Sequence, residues 1–222
     1  MSDEYTLTVI NNSELVKPVF AVFAVLPEFM SADSLQLAWL TQQINGGNDY
    51  VFSWEMKWQF VWSAQGTREG YQWNGRGRLA ADPGSNDQCR ATFDYDGGDW
   101  SLLKAYGKAD MARLRIASTA RVPRPSVNPS SVGLTLNGKA VCAIDTGPDL
   151  EQVFTLHPTY YIAAGRFIQG QMVSLSSSTK FKELVYSGGN NALTATLTAD
   201  NKWEVKASNA VNFSRELEAL SA

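Results

Sequence analysis

The sequence predicts an all-β protein, an antiparallel β-sandwich of jelly-roll or Greek-key type with at most short helices, and three observations carry that expectation. Tyr50, Phe52, Trp54, Met56, Trp58, Phe60 and Trp62 occupy every second position without a break, and a period of two marks an extended strand. Short strand-like segments separated by turn signals recur along the whole chain, as in sandwiches. Two hairpins declare their turns, Asn137-Gly138 and Ala199-Asp200-Asn201; Asn-Gly tolerates the positive φ angles of a tight I′ turn.

Taken in order, the strand-like segments are Tyr5–Ile10, Val19–Leu26, Tyr50–Trp62, Gln72–Leu79, Cys89–Asp94, Arg113–Val122, Val132–Leu136, Lys139–Ile144, Gln152–Leu156, Tyr160–Phe167, Gln171–Leu175, Phe181–Tyr186, Leu193–Leu197 and Lys202–Lys206. The aromatic run is unusual in length. At roughly 3.3 Å per residue it would reach about 40 Å, about twice an ordinary strand, so it bends or serves two sheets in turn. Ser34–Ile44 reads equally as a helix capped by Asp33 or Ser34 and as a strand carrying Leu35, Leu37 and Trp39, and Trp100–Lys108 is open in the same way. Ser214–Leu220 has a capping serine and helix-forming residues. The stretch from Val122 to Ser131, with three prolines, is the one candidate linker and is too short to divide the chain, so a single domain over residues 1–222 is expected.

Composition is that of a folded protein, 44% hydrophobic and 18% charged, with a net charge of −3. That balance argues against nucleic acid as a partner. Lys104, Lys108, Arg113, Arg115, Arg121 and Arg124 share their stretch with one acid, Asp110; the solvent face of a strand is the common meaning of such a pattern, a binding patch the rarer one. No apolar run is long enough for a transmembrane segment. The residues from Met1 to Tyr5 lack the basic and apolar regions of a signal peptide, so the expectation is a cytoplasmic protein with Cys89 and Cys142 reduced, export by a non-classical route being the alternative.

Candidate chemistry is sparse. His157 is the single histidine, so a multi-histidine metal site is excluded, and no Gly-x-Ser-x-Gly elbow presents a serine to it. Glu55 lies beside Lys57 with no second acid on that strand face, against a glycosidase pair. Asp94, Asp96 and Asp99 crowd into Asp-Tyr-Asp-Gly-Gly-Asp and are candidate ligands for calcium, the one cofactor suggested, although the spacing misses the EF-hand pattern; an Asp- and Gly-rich turn explains them as well. Asn74-Gly-Arg-Gly-Arg78 lacks the spacing of a nucleotide loop. Of the seven tryptophans, Trp54, Trp58 and Trp62 are candidates either for the inner wall of the sandwich or for an interaction surface that stacks on sugars or a partner.

Several segments carry a family resemblance: Leu7-Thr-Val-Ile-Asn-Asn-Ser13, Ser34-Leu-Gln-Leu-Ala-Trp39, Phe52-Ser-Trp-Glu-Met-Lys-Trp-Gln-Phe-Val-Trp-Ser63, Phe154-Thr-Leu-His-Pro-Thr-Tyr-Tyr-Ile-Ala-Ala-Gly165, Gln169-Gly-Gln171 and Ala195-Thr-Leu-Thr-Ala-Asp-Asn-Lys-Trp203. Together they resemble the bacterial rhizosphere-induced proteins of the RhiA type over nearly the whole chain. The resemblance implies a soluble, abundant protein with no assigned enzymatic activity, and it supplies no catalytic residues. The function expected is therefore non-catalytic, by self-association as a homo-oligomer or by binding another protein. The alternatives are a lectin-like module for polysaccharide and a membrane-active β-protein.

Overall fold

The computed structural model describes residues 4–31, 34–174 and 181–208. In chain order its strands are β1 (Glu4–Asn11), β2 (Val19–Val25), β3 (Leu35–Leu37), β4 (Leu40–Gln43), β5 (Asn48–Glu55), β6 (Trp58–Ser63), β7 (Arg76–Ala81), β8 (Arg90–Asp96), β9 (Asp99–Ala105), β10 (Arg113–Ser118), β11 (Ser130–Leu136), β12 (Lys139–Thr146), β13 (Glu151–Thr155), β14 (Thr159–Gly165), β15 (Met172–Ser174), β16 (Lys182–Leu184), β17 (Ala192–Leu197) and β18 (Trp203–Ala207). A 3-10 turn at Pro27–Phe29 is the one helical element among the described residues. The two undecided segments are strands, β3 and β4 in the first case and β9 in the second. The segment expected from Gln72 begins later, at Arg76, because Gln72 and Trp73 are held in a loop that bonds to residues 170 and 171. Asp33, Leu175 and Ser214–Leu220 lie outside the described residues.

The strands assemble, among the described residues, into four sheets of four strands, ordered β18-β17-β1-β5, β16-β14-β2-β4, β12-β11-β6-β7 and β13-β10-β8-β9, with a two-stranded ribbon β15-β3. Pairing is antiparallel except at β1 with β17 and β8 with β10. The turn signals behave as their chemistry demands: Asn137 and Gly138 both adopt positive φ, 50° and 78°, joining β11 to β12, and Asn201 at φ 57° turns β17 into β18.

The aromatic run breaks between β5 and β6, at Met56 and Lys57, and does serve two sheets: β5 pairs with β1, β6 with β11 and β7. Parity survives the break. Phe52, Trp54, Trp58 and Phe60 are all buried in one core cluster, with Met56 and Trp62 packed against it and half-buried. Rings seat the sheets on one another in a sandwich-like arrangement. Trp54 and Tyr5 reach Tyr160 of the facing sheet at 5.2 and 6.0 Å between centroids, and Phe20 meets Trp203 at 5.8 Å. Across the other pair of sheets, Trp62 meets Phe93 at 5.8 Å and Trp100 at 6.2 Å.

A second, smaller core lies on the opposite face of β6. Val61 packs there with Leu37, Trp73, Ala143 and Met172, all buried, so β6 is covered on both faces and the loop carrying Trp73 forms the second cover.

Because Trp54 is 1% exposed and touches rings from several segments, Trp54→Ala should cost about 3–5 kcal/mol. Ser53→Ala, on the exposed face of the same strand, should stay within about 0.5 kcal/mol. Urea unfolding followed by tryptophan fluorescence compares the two; equal effects would contradict this assignment of faces.

Candidate functional site

The acidic turn is the first site to test against its geometry. Asp94 lies near the end of β8 and is 7% exposed. Its Oδ1 accepts hydrogen bonds from the Thr119 hydroxyl and from Arg121 Nε at 3.1 Å, and its Oδ2 is paired with Arg121 Nη2. Arg121 also reaches Asp96 at 3.2 Å. The Thr119 bond first, and Arg121 second, hold the Asp94 carboxyl below its ordinary value by favouring the charged form. Among the described residues no three His, Cys, Asp or Glu side chains converge as a metal site. Asp94, Asp96 and Asp99 are thus not brought together around a cation position: two of them are committed to a guanidinium, and Asp99 opens β9 across the hairpin from Asp96. The arrangement clamps the β8–β9 hairpin to the Thr119–Val122 turn.

Of the interaction candidates, Trp54 and Trp58 are 1% and 7% exposed and form core wall, where no partner reaches them. Trp54 donates from Nε1 to the Tyr160 hydroxyl at 3.3 Å, and that hydroxyl donates on to Met56 Sδ at 3.4 Å. Tyr5, Trp39 and Tyr186 complete the ring cluster, and the Tyr186 hydroxyl donates to the Thr6 carbonyl at 3.2 Å. Burial pushes the Tyr160 and Tyr186 phenols well up, which keeps them neutral hydrogen-bonding groups. Trp62 is half-buried, its indole lying against the backbone of Gly77 where no side chain would fit. His157 is exposed in the turn between β13 and β14. Within the basic stretch Arg113 pairs with Asp110 at 3.9 Å, Arg115 with Glu151 at 3.4 Å, which also holds Arg90 at 2.8 Å, and Arg121 with Asp94 and Asp96.

Two surface features stand apart. One is the side of the sandwich where the edge strands β4 and β5 lie together around a cavity of about 280 Å³ bordered by Gln42, Gln43, Asn45, Asn48, Asp49 and Tyr50. β5 pairs with β1 along its whole length, Asn48 opposite Asn11 and Glu55 opposite Glu4, and its other edge has no strand partner among the described residues. The turn joining β4 to β5 is fixed by Asn11, whose Nδ2 donates to the Ile44 carbonyl at 2.7 Å and whose own carbonyl accepts from Gly47 N at 2.7 Å. Neither edge carries Lys or Arg, and Tyr50 and Val51 are 41% and 46% exposed on it. The opposite side of the same two sheets is formed by β16 and β18, which present Lys182, Glu183, Glu204 and Lys206.

The other feature is a pair of cavities meeting at Gln72 and Trp73, one beside the β11–β12 hairpin and one beside Tyr71. Sequence reasoning missed Trp73 as an organiser, reading it as one residue of a strand. The structure buries it at 4% exposure, with Nε1 donating to Ser131 Oγ at 2.7 Å.

The fold and these surfaces define a class, an all-β protein with an aromatic core and unoccupied edges whose described acids and single histidine do not gather into one site. The family model described as RhiA matches residues 2–208, and the chain belongs to the RhiA family. It is similar to Protein RhiA of Rhizobium leguminosarum bv. viciae, 30% identical over 208 residues that cover 91% of this chain and 86% of the relative. No solved structure matches.

Two measurements check the buried groups described here. With its folded value depressed below 3.8, Asp94 contributes stability that is present above the unfolded value and lost as pH falls through the folded one. Asp94→Asn should lower the urea midpoint at neutral pH and flatten its fall between about pH 5 and 2; an unchanged acid limb would remove the clamp from the account. Cys142 is buried and desolvation pushes its thiol up to about 12. Iodoacetamide at about pH 8 should leave it unmodified in the native protein and label it in urea, as read by peptide mass spectrometry.

Proposed function

We propose that the protein acts without catalysis, by self-association through the edge that β4 and β5 present. The observation that supports this reading is the contrast between the two sides of one pair of sheets. Free strand edges template pairing with another chain, and proteins blunt them with charged residues, especially lysine. β16 and β18 are blunted in that way. β5 offers eight residues with only Asp49 and Glu55 charged, and it leaves Tyr50 and Val51 in solvent. Antiparallel pairing of β5 with β5 of a second copy is self-complementary about a twofold axis, so it closes as a dimer rather than propagating. It would continue the sheet β18-β17-β1-β5 through the interface and place the amide-rich cavity beside it, where Gln42, Asn45 and Asn48 can bond across. Among the described residues no helix is long and apolar enough to cross a membrane. The RhiA relative supports the family and leaves the mode of action to this surface.

Light scattering over a wide concentration range tests the proposal. Mass should rise from 24.4 kDa toward twice that value, and Val51→Lys with Ser53→Lys, both at exposed positions, should hold the protein at the monomer mass with its melting temperature retained. A constant monomer mass in the unsubstituted protein, or self-association unaffected by the two lysines, would refute it.

A further inference from the structure

The strongest unexplained concentration of chemistry is the cavity beside the β11–β12 hairpin, about 230 Å³ in volume. Three segments that are far apart along the chain meet there, through Asn74 and Arg78, Gly138 and Lys139, and Gln169 and Gly170. Trp73 brings them together. Its ring is buried in the second core, its backbone N–H donates to the Gly170 carbonyl at 2.8 Å, and Gln72 Nε2 donates to the Gln169 carbonyl at 2.8 Å.

The cavity's charge is one-sided. Arg78 comes from edge strand β7 and Lys139 from the start of β12, and the Arg78 guanidinium lies beside Gly138, 3.7 Å from where a Cβ would stand. Among the described residues neither cation is in an ion pair, and no carboxylate lines the wall. In a chain of net charge −3 that is a local inversion of sign. The cavity of about 510 Å³ bordered by Arg90 and Arg115 differs, for there Glu151 pairs with both and Asp110 adds a second carboxylate to the wall.

Beside Trp39, Trp73 and Thr135, three carboxamides line it, Gln72, Asn74 and Gln169, all exposed. Each amide carries donors and an acceptor, the pairing that vicinal hydroxyls need. The adjoining cavity, about 240 Å³, is mainly apolar and is flanked by Tyr71, which is 57% exposed with Arg68 over one face of its ring at 4.5 Å. Both volumes lie below the roughly 300–1,000 Å³ of pockets for drug-sized ligands, so each suits a single ring.

We infer that this double cavity binds an acidic saccharide, with one carboxylated sugar between Arg78 and Lys139, its hydroxyls on the three amides, and the neighbouring sugar against Tyr71. The site lies apart from the β4–β5 edge and does not rest on self-association.

Calorimetric titration with galacturonate, a galacturonate oligosaccharide, a neutral cello-oligosaccharide and inorganic sulfate tests it. The acidic oligosaccharide should bind most tightly, weakening as salt rises. Arg78→Ala or Lys139→Ala should each weaken it about tenfold, the loss of one charge-assisted hydrogen bond. Tyr71→Ala should weaken the oligosaccharide and leave galacturonate unchanged. Equal binding of sulfate and the acidic sugars would overturn the inference in favour of a simple anion site. Equal binding of the neutral oligosaccharide, or no heat with any probe while the protein remains folded, would overturn it outright.

Discussion

One stretch of backbone sets the conditions for the rest, the passage from β5 to β6. A strand that leaves one sheet and enters another must bend, and a slip of one residue at the bend would turn every following side chain to the opposite face. Here the parity is kept. Met56 stays on the inner side, half-buried, with its sulfur accepting the Tyr160 hydroxyl, while Lys57 points to solvent and its carbonyl accepts from Asn137 N at 2.8 Å. The bend is therefore tied to the tip of the β11–β12 hairpin. The exposed Glu55–Lys57 pair adds little, as surface ion pairs do. What holds the parity is the burial of Phe52 and Trp54 before the bend and Trp58 and Phe60 after it, since a one-residue slip at the bend would turn Trp58 and Phe60 outward.

From that seam the polar economy of the core follows. Trp39 and Trp54 each bring a donor into the buried core, and each finds an acceptor on a different element, the Leu136 carbonyl at 3.0 Å and the Tyr160 hydroxyl. A buried indole N–H left unpaired would cost about 1–3 kcal/mol, so these bonds select one arrangement of rings among many of similar apolar area. Ring packing supplies the bulk of the attraction, and the hydrogen bonds supply uniqueness.

The sequence made the strands legible because side-chain alternation is a local property. Val19–Leu26, Lys139–Ile144 and Leu193–Leu197 each overlap an observed strand to within a residue or two, and the bend was implied by length alone. What stayed hidden was whatever depends on a distant partner. Counting acids between Asp94 and Asp99 suggested a cation site, but the cation that two of them hold is Arg121, delivered by a turn that only the parallel pairing of β8 with β10 brings near. Val61 alternates onto the face of Glu55, Lys57 and Gln59. It is buried because a loop without any period, from residue 64 to 75, folds over that face and inserts Trp73. Period-two reasoning describes a strand with one wet side and is silent when a loop dries the other.

The same loop explains why charge is placed as it is on this molecule. A sheet edge can be protected by charge or left open for pairing, and a lysine or arginine on an edge does more than repel a neighbouring strand if a cavity lies within reach of its side chain. β7 and β12 are the two edges of one sheet, and each contributes one cation to the cavity that Trp73 underlies. Acids are kept from that wall while, at the facing sheet, Glu151 pairs with Arg90 and Arg115, and Asp94 and Asp96 with Arg121. At β4 and β5 no cation is supplied. The same two residues, Arg78 and Lys139, thus charge both edges of one sheet and line one cavity, whereas the edge at β4 and β5 carries acids alone, Asp49 and Glu55.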